Sequence, residues 1–311
     1  MASAASSAAR KKIVVAGGNG FLGSRICKAA TARGWHVVSL SRSGEPTWSS
    51  VTSSPTAPAW SKDVEWISAN VLHPSTYRAH LRSADSVVHS MGILLEADYK
   101  GVLQGKEPLV AGLQRAFSST KKGTQDPFAR TGDEGTFEPQ EDGGQITYEV
   151  MNRDSAILLA KETAAAAAAA AAAEGIDGEA TTRPTFCYVS AAGGAPVLPR
   201  RYIDTKRAAE QAIALNLPSL RSVFVRPGML FDASRGFTMP LAAATWVGAM
   251  ANSLVGGALS GVMGAGGVKP LKADVVAEAI VEAIDDGVTK GPVEVRGIEE
   301  LATRSWRKGM L

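Results

Sequence analysis

Short apolar runs recur along this chain of 311 residues, with stretches of helical length between them. Residues 13–16, 35–40, 64–69, 86–91, 186–190 and 222–226 read as strands, and 292–296 as a seventh. Their hydrophobicity is nearly continuous and rich in valine, as expected of strands covered on both faces by helices rather than wet on one. Residues 21–32, 148–174, 202–215 and 273–285 carry helical patterns. The alternation of β and α units predicts an α/β fold, a doubly wound parallel sheet with helices on both faces and a small C-terminal lobe for a substrate.

Three stretches depart from this rhythm. Residues 118–145 are rich in Gly, Lys, Asp and Glu with little to bury, which predicts a mobile surface insertion, or a docking loop. The ten alanines Ala164 to Ala173 are low in complexity, but alanine is the best helix former, so they extend the helix that starts near Tyr148. Residues 236–268 run without a charge and include Phe237, Met239, Trp246 and Met263. Pro240 and Gly-Gly pairs break that segment, so burial in the C-terminal lobe is expected before a membrane span. An apolar substrate channel, or a surface resting peripherally on a membrane, is the functional counterpart. The expected organisation is a leader over 1–12, a main domain over 13–235 and a lobe over 236–311.

Composition narrows the class. Hydrophobic residues make up 45% and charged residues 20%, and the net charge is +3. That balance permits one large core and speaks against both a nucleic-acid surface and an acidic disordered chain. Cys27 and Cys187 both lie in apolar segments, so a reducing compartment is expected. The four histidines are scattered away from the cysteines, and no metal site is expected. The leader is rich in Ala and Ser, carries Arg10, Lys11 and Lys12, and the first acid is Glu45, a bias shared by organelle-targeting leaders and by plain disordered termini.

Directly after the first strand comes Gly17-Gly18-Asn19-Gly20-Phe21-Leu22-Gly23, opening a helix. Gly17 suits the tight turn, Gly20 a close approach of backbone to a pyrophosphate, and Gly23 close packing of helix on strand. Amides at the start of the helix, those of Phe21 and Leu22 among them, would face the phosphates. This is the dinucleotide loop of a Rossmann domain, so 13–235 is expected to bind NAD(P). Enzymes that prefer NAD place an acid about twenty residues further on, to bind the ribose 2′-hydroxyl. Here the strand ends Ser41-Arg42-Ser43, which suits a 2′-phosphate, so NADP(H) is favoured over NAD(H). Asn70 and the corner Ser90-Met91-Gly92 follow the third and fourth strands, where such folds meet adenine and ribose. Arg226-Pro227-Gly228, after the sixth, is a further candidate corner.

Of the five tyrosines only Tyr202 has a lysine four residues on, Lys206, on one helix face. Ser190 ends a strand twelve residues before it. Hydride transfer to a carbonyl leaves a developing alkoxide that needs a proton and a donor in place. Tyr202 would give the proton, Lys206 would lower the phenol's pKa and hold the nicotinamide ribose, and Ser190 would bond the substrate oxygen. The plain alternative is an amphipathic helix with surface Tyr202 and Lys206, and Ser190 capping a turn.

Taken together, the glycine loop, Leu40-Ser41-Arg42-Ser43-Gly44, His89-Ser90-Met91-Gly92-Ile93-Leu94-Leu95 and Tyr188-Val189-Ser190-Ala191 to Tyr202-Ile203-x-x-Lys206 resemble atypical short-chain dehydrogenases/reductases. They are most similar to fungal mitochondrial members associated with coenzyme Q biosynthetic proteins, relatives of the nucleotide-binding accessory subunit of respiratory complex I. The resemblance implies an NAD(P)-binding protein on the matrix side of the inner membrane that acts in, or modulates, ubiquinone synthesis. Some relatives bind the dinucleotide without turnover, whereas this chain keeps Ser190, Tyr202 and Lys206. The leading expectation is therefore an NADP(H) oxidoreductase working on an apolar quinone-type precursor. Its rivals are a non-catalytic dinucleotide-bound scaffold and a nucleotide-sugar epimerase or dehydratase, the last predicting a polar C-terminal lobe.

Overall fold

A computed structural model describes residues 10–52, 54–92, 147–173, 183–193, 200–232 and 268–310. The insertion 118–145, residues 236–267 of the uncharged segment and residues 1–9 of the leader lie outside them.

The strands of the main sheet are β1 (Lys12–Ala16), β2 (His36–Ser41), β3 (Val64–Ser68), β4 (Ser86–His89), β5 (Thr185–Val189) and β6 (Arg221–Val225). A pair of two-residue strands, β7 (Leu230–Phe231) and β8 (Leu271–Lys272), forms a separate small parallel sheet. The last strand, β9 (Gly291–Val293), returns to the main one, whose order is β3-β2-β1-β4-β5-β6-β9. Every neighbouring pair is parallel. The order reverses between β1 and β4, the switch point where folds of this kind hold their ligands.

Among the described residues, five helices of ten residues or more cover the sheet: α1 (Gly23–Ala32), α2 (Ser155–Ala173, preceded by a π-helical turn, Glu149–Asp154), α3 (Arg200–Asn216), α4 (Ala273–Asp285) and α5 (Val295–Lys308). Alternate residues of each strand serve opposite faces. Ile13, Val15, Val37, Val88, Cys187 and Val223 pack with α1, α4 and α5, while Val14, Val38, Leu40, Val87, Phe186 and Phe224 pack with α2 and α3. That division is the reason the strands read as unbroken apolar runs.

By length and composition the helix 149–173 could cross a membrane, but Ala156, Ile157, Leu159 and Ala160 are buried in the second core, and the alanine tract continues the helix as expected. The strand expected over 292–296 is corrected: pairing stops at Val293 and α5 begins at Val295. Ile298, Leu301 and Ser305 form its buried stripe, and Pro292 sits on the sheet's edge strand, where a missing N–H costs least. At the opposite edge Trp48, Trp60 and Trp66 pack edge to face or tilted, with ring centroids 5.6 to 6.4 Å apart.

Strand β4 carries a wholly buried histidine. Ser155 spends its hydroxyl hydrogen on the Met151 carbonyl at 2.8 Å, so His89 donates to Ser155 from Nε2 at 2.9 Å, and its buried Nδ1 has no partner among the described residues. Burial, with the Lys206 ammonium adding to it, pushes the imidazole down to about 3. Between pH 6.5 and 3 the unfolded chain therefore binds a proton that the folded chain refuses, and stability falls as the pH drops through that window. At 1.36 kcal/mol per unit the loss is roughly 3–5 kcal/mol. Denaturant unfolding at pH 7 and pH 4 measures it, and His89→Gln is expected to flatten that limb of the curve.

Candidate functional site

Strand register brings the candidate residues to one edge. Leu40, Ala16, His89, Tyr188 and Phe224 stand in one row across β2, β1, β4, β5 and β6. Arg42, Gly17, Ser90, Ser190 and Arg226 follow within one or two residues, all at the carboxyl end of the sheet.

The glycine loop is built so closely that side chains have no room. Gly17 has φ +81°, and a Cβ there would lie 2.8 Å from Met91 Cγ. A Cβ at Gly23 would lie 2.0 Å from the Gly17 carbonyl oxygen, and one at Gly18 2.3 Å from Ser39 Oγ. Gly18 was not singled out in sequence, because only the fold places Ser39 against it. A Cβ at Gly20 would meet only the Gly17 oxygen, at 3.1 Å. The loop is tied to β2 by Gly17 N–H to the Leu40 carbonyl (2.8 Å) and by Asn19 Nδ2 to Ser43 Oγ (2.8 Å). No acid occupies the first turn of α1, and the Leu22 side chain is buried in the core, leaving only its backbone for a ligand. Phe21 lies under the Arg25 guanidinium, 4.5 Å from its ring centroid.

At the end of β2 the three candidates part company. Ser41 is buried and gives its hydroxyl to the Gly44 carbonyl at 2.7 Å, closing the turn, and Ser43 accepts from Asn19, so both have structural work. Arg42 is exposed, and its side chain forms no ion pair among the described residues. The next acid, Glu45, accepts the Trp48 indole N–H at 2.9 Å. Asn70 turns Oδ1 onto the Leu72 amide at 3.1 Å, an Asx turn after β3.

The corner after β4 joins both halves of the site. Ser90 bonds the Ala16 carbonyl through its amide (3.0 Å) and its hydroxyl (2.8 Å), and Met91 packs on Gly17. On its other side, a Cβ at Gly92 would lie 3.0 Å from Asn152 Oδ1 and 3.5 Å from Lys206 Nζ. Asn152 is fully buried in the π-helical turn, and its carbonyl accepts the Tyr188 hydroxyl at 2.5 Å. A π-turn widens the helix locally and is a frequent mark of functional sites. The sequence held only a faint signal of it, since Asn152 lies among Glu149, Arg153 and Asp154 and reads as one more polar residue at the start of a helix.

Helix α3 presents Tyr202 and Lys206. The Tyr202 ring meets Tyr148 edge to face with centroids 5.9 Å apart, and its hydroxyl has no hydrogen-bond partner among the described residues. Lys206 is buried, donates to the Val189 carbonyl at 3.0 Å and lies 5.7 Å from the Tyr202 ring centroid. Ser190, also buried, follows Val189 directly.

The electrostatics differ from expectation in one respect. Burial pushes the Tyr202 phenol up to about 12 and the Lys206 ammonium down to about 7. The cation that bears on the phenol is Arg207, not Lys206, because a lysine this deeply buried is itself short of charge near neutrality.

The Arg226 guanidinium is taken up by Glu210 and by Glu294 (2.7 Å), so it braces β6 against α3. The Pro227 carbonyl accepts the Ala192 amide at 2.8 Å, and a Cβ at Gly228 would lie 3.0 Å from the Lys269 carbonyl. Among the described residues no group of three His, Cys, Asp or Glu side chains could hold a metal ion. Cys27 and Cys187 are buried free thiols, pushed up by burial.

Sheet order and glycine loop define a Rossmann-type α/β protein. The profile of the NAD dependent epimerase/dehydratase family matches residues 13–97. The chain is 36% identical over 230 residues to MIOREX complex component 2 of Saccharomyces cerevisiae, covering 74% of this chain and 76% of that protein. It therefore belongs to the family of that yeast protein. An uncharacterised chloroplastic protein of Arabidopsis thaliana is 39% identical over 82 residues, 26% of this chain and 25% of that one. Among solved structures, UDP-glucuronic acid 4-epimerase from Bacillus cereus in complex with NAD shares the fold, with a TM-score of 0.50 at 14% identity over 91% of this chain and 76% of that one.

Proposed function

We propose that this chain is an NADP(H)-dependent oxidoreductase that reduces a carbonyl of an apolar, quinone-type compound. The observation that carries the reading is the Ser90 to Gly92 corner. It touches the glycine loop through Met91 and the Lys206 and Asn152 side chains through Gly92, so a phosphate cradle and a proton-donating set adjoin.

The residues present fit the dinucleotide. The cradle is free of side chains where a pyrophosphate would lie, the helix behind it opens without an acid, and Arg42 projects unpaired at the far end. When bound, the cofactor supplies a hydride. Gly17, Gly20 and the amides of Phe21, Leu22 and Gly23 would hold its diphosphate, with Arg42 at the 2′-phosphate and Asn70, Ser90, Met91 and Gly92 along the adenosine and ribose. Tyr202, neutral because its pKa lies far above working pH, delivers a proton to the developing alkoxide, and Ser190 donates to the same oxygen. Lys206 lends positive charge in the fraction that is protonated near pH 7 and reaches toward the nicotinamide ribose.

The preference for NADP(H) rests on Arg42 and on the engagement of Glu45 with Trp48. Arg42→Asp is expected to weaken NADPH at least tenfold, the loss of one charge-assisted contact, and to leave NADH within about threefold. Calorimetric titration of both nucleotides checks this.

A role in or beside ubiquinone synthesis, on the matrix side of the inner mitochondrial membrane, is supported by the resemblance of the motifs and by the Arg- and Lys-bearing, acid-free leader. A second reading, a dinucleotide-bound scaffold, draws on the name of the yeast relative as a complex component. The epimerase profile ends at residue 97, before Ser190, Tyr202 and Lys206, so it does not bear on the substrate half. The test is NADPH oxidation in the presence of a benzoquinone bearing one isoprene unit. Turnover supports the enzyme, whereas tight NADPH binding with no turnover of that quinone or of simpler quinones supports the scaffold.

A further inference from the structure

Beyond the three side chains singled out in sequence, the candidate site contains a second cation. Arg207 follows Lys206 on α3, and the two grip successive residues at the end of β5. Lys206 bonds the Val189 carbonyl, while Arg207 bonds Ser190 Oγ (Nη1, 3.0 Å), the Ala191 carbonyl (Nη2, 2.7 Å) and the Ala192 carbonyl (Nη2, 3.3 Å). Glu210, one turn on and buried, fixes the guanidinium at 2.7 Å and is itself held by Arg226, which Glu294 holds in turn. The chain of charges runs from Glu294, just after β9, to the serine hydroxyl.

We propose that Arg207 is a positioning residue that orients the Ser190 hydroxyl so that its hydrogen is offered to the substrate oxygen. A guanidinium only donates, so at that contact Ser190 Oγ must accept, and its single hydrogen cannot be spent there. Among the described residues no acceptor takes that hydrogen, although the serine is buried. A hydroxyl that accepts a charge-assisted bond is a stronger donor on its other side. Arg207 thus does for Ser190 what the sequence pattern alone assigned to nothing, and its charge also reaches Tyr202 and Lys206. In the reducing direction the site would meet the substrate oxygen with two donors, the Tyr202 phenol and a Ser190 hydroxyl turned by Arg207.

The inference rests on the hydride-transfer reading for its purpose, but not for its geometry, and two measurements keep them apart. The first is a double-mutant cycle on the full chain, with NADPH and 9,10-phenanthrenequinone as probe carbonyl. Arg207→Gln is expected to lower kcat by 10- to 100-fold with KM for NADPH unchanged within about threefold, and to cost almost nothing further in a Ser190→Ala background. Effects that multiply in the double variant would overturn the proposal. The second needs no turnover: the thiol of Ser190→Cys, followed by its thiolate absorbance, is expected to titrate at least one unit lower than the thiol of the Ser190→Cys, Arg207→Gln double variant. Equal titrations would overturn it as well. Should the wild type fail to reduce the probe, the hydride-transfer reading suffers and the thiol comparison still decides the contact. Should Arg207→Gln fail to fold, Arg207→Lys, which keeps the charge and one donor, enters the same cycle with the kcat loss expected and the thiol shift reduced.

Discussion

Gly23→Ala is expected to cripple dinucleotide binding and to lower the melting temperature by about 6–12 °C. The added Cβ would stand 2.0 Å from the Gly17 oxygen and 2.8 Å from both the Gly17 carbonyl carbon and Gly18 Cα, all of them backbone atoms that cannot turn aside. Overpacking of this kind costs about 3 kcal/mol, and each kcal/mol moves the melting point of a domain this large by roughly 2–4 °C. Relief comes only from pushing the glycine loop outward, which pulls it off the Leu40 carbonyl and misaligns the amides that would meet the diphosphate. Affinity for NADPH should fall at least 100-fold. Gly34→Ala is the control: its φ of +71° makes alanine strained, yet a Cβ there would meet nothing within 4 Å, so stability drops by only about 1 kcal/mol and binding stays.

Tyr202→Phe is expected to lower kcat for carbonyl reduction by 10²- to 10⁴-fold, the usual worth of a positioned proton donor, while NADPH affinity changes less than threefold. The phenyl ring keeps the edge-to-face contact with Tyr148 and so preserves the helix position. The pH dependence separates this residue from its neighbour. With the phenol near 12, Tyr202 stays protonated across the accessible range, whereas Lys206 loses its charge as the pH rises through about 7. kcat/KM, which reports the free enzyme, should therefore fall above pH 7 in the wild type, and the inflection should vanish in Lys206→Ala. A scaffold would show neither effect, and its partner assembly would survive both substitutions.

Much of this was legible in the residues because the physics concerned is local. A strand buried on both faces is largely apolar, so β1, β2, β4, β5 and β6 announce themselves as mainly apolar runs, and the first βα turn needs glycines at fixed offsets whatever surrounds it. The Tyr202–Lys206 pair is likewise local, one turn of helix apart. What stayed hidden depends on contacts between distant segments. Asn152 sits among charged residues at the start of its helix, and only the π-turn and the packing of Gly92 make it part of the site. The Ser41 hydroxyl closes its own turn, and Arg226 is held by Glu210 and Glu294 from other elements, contacts that no local pattern announces. Helix α5 was missed because Pro292, Val293 and Val295 look like strand, while the stripe Ile298, Leu301 and Ser305 becomes meaningful only once α4 lies against it. The pKa of Lys206 could not be read from spacing at all, since it follows from burial.

Thermal melting of the full chain with saturating NADPH, and in parallel with NADH, tests the central claim most directly. A nucleotide at 100 times its dissociation constant stabilises the folded state by about 2.7 kcal/mol, so NADPH should raise the melting point by several degrees, more than NADH at equal concentration, and should fail to do so for Gly23→Ala. If neither nucleotide moves the transition of the wild type, the loop between β1 and α1 does not hold a dinucleotide, and the oxidoreductase and scaffold readings are both wrong.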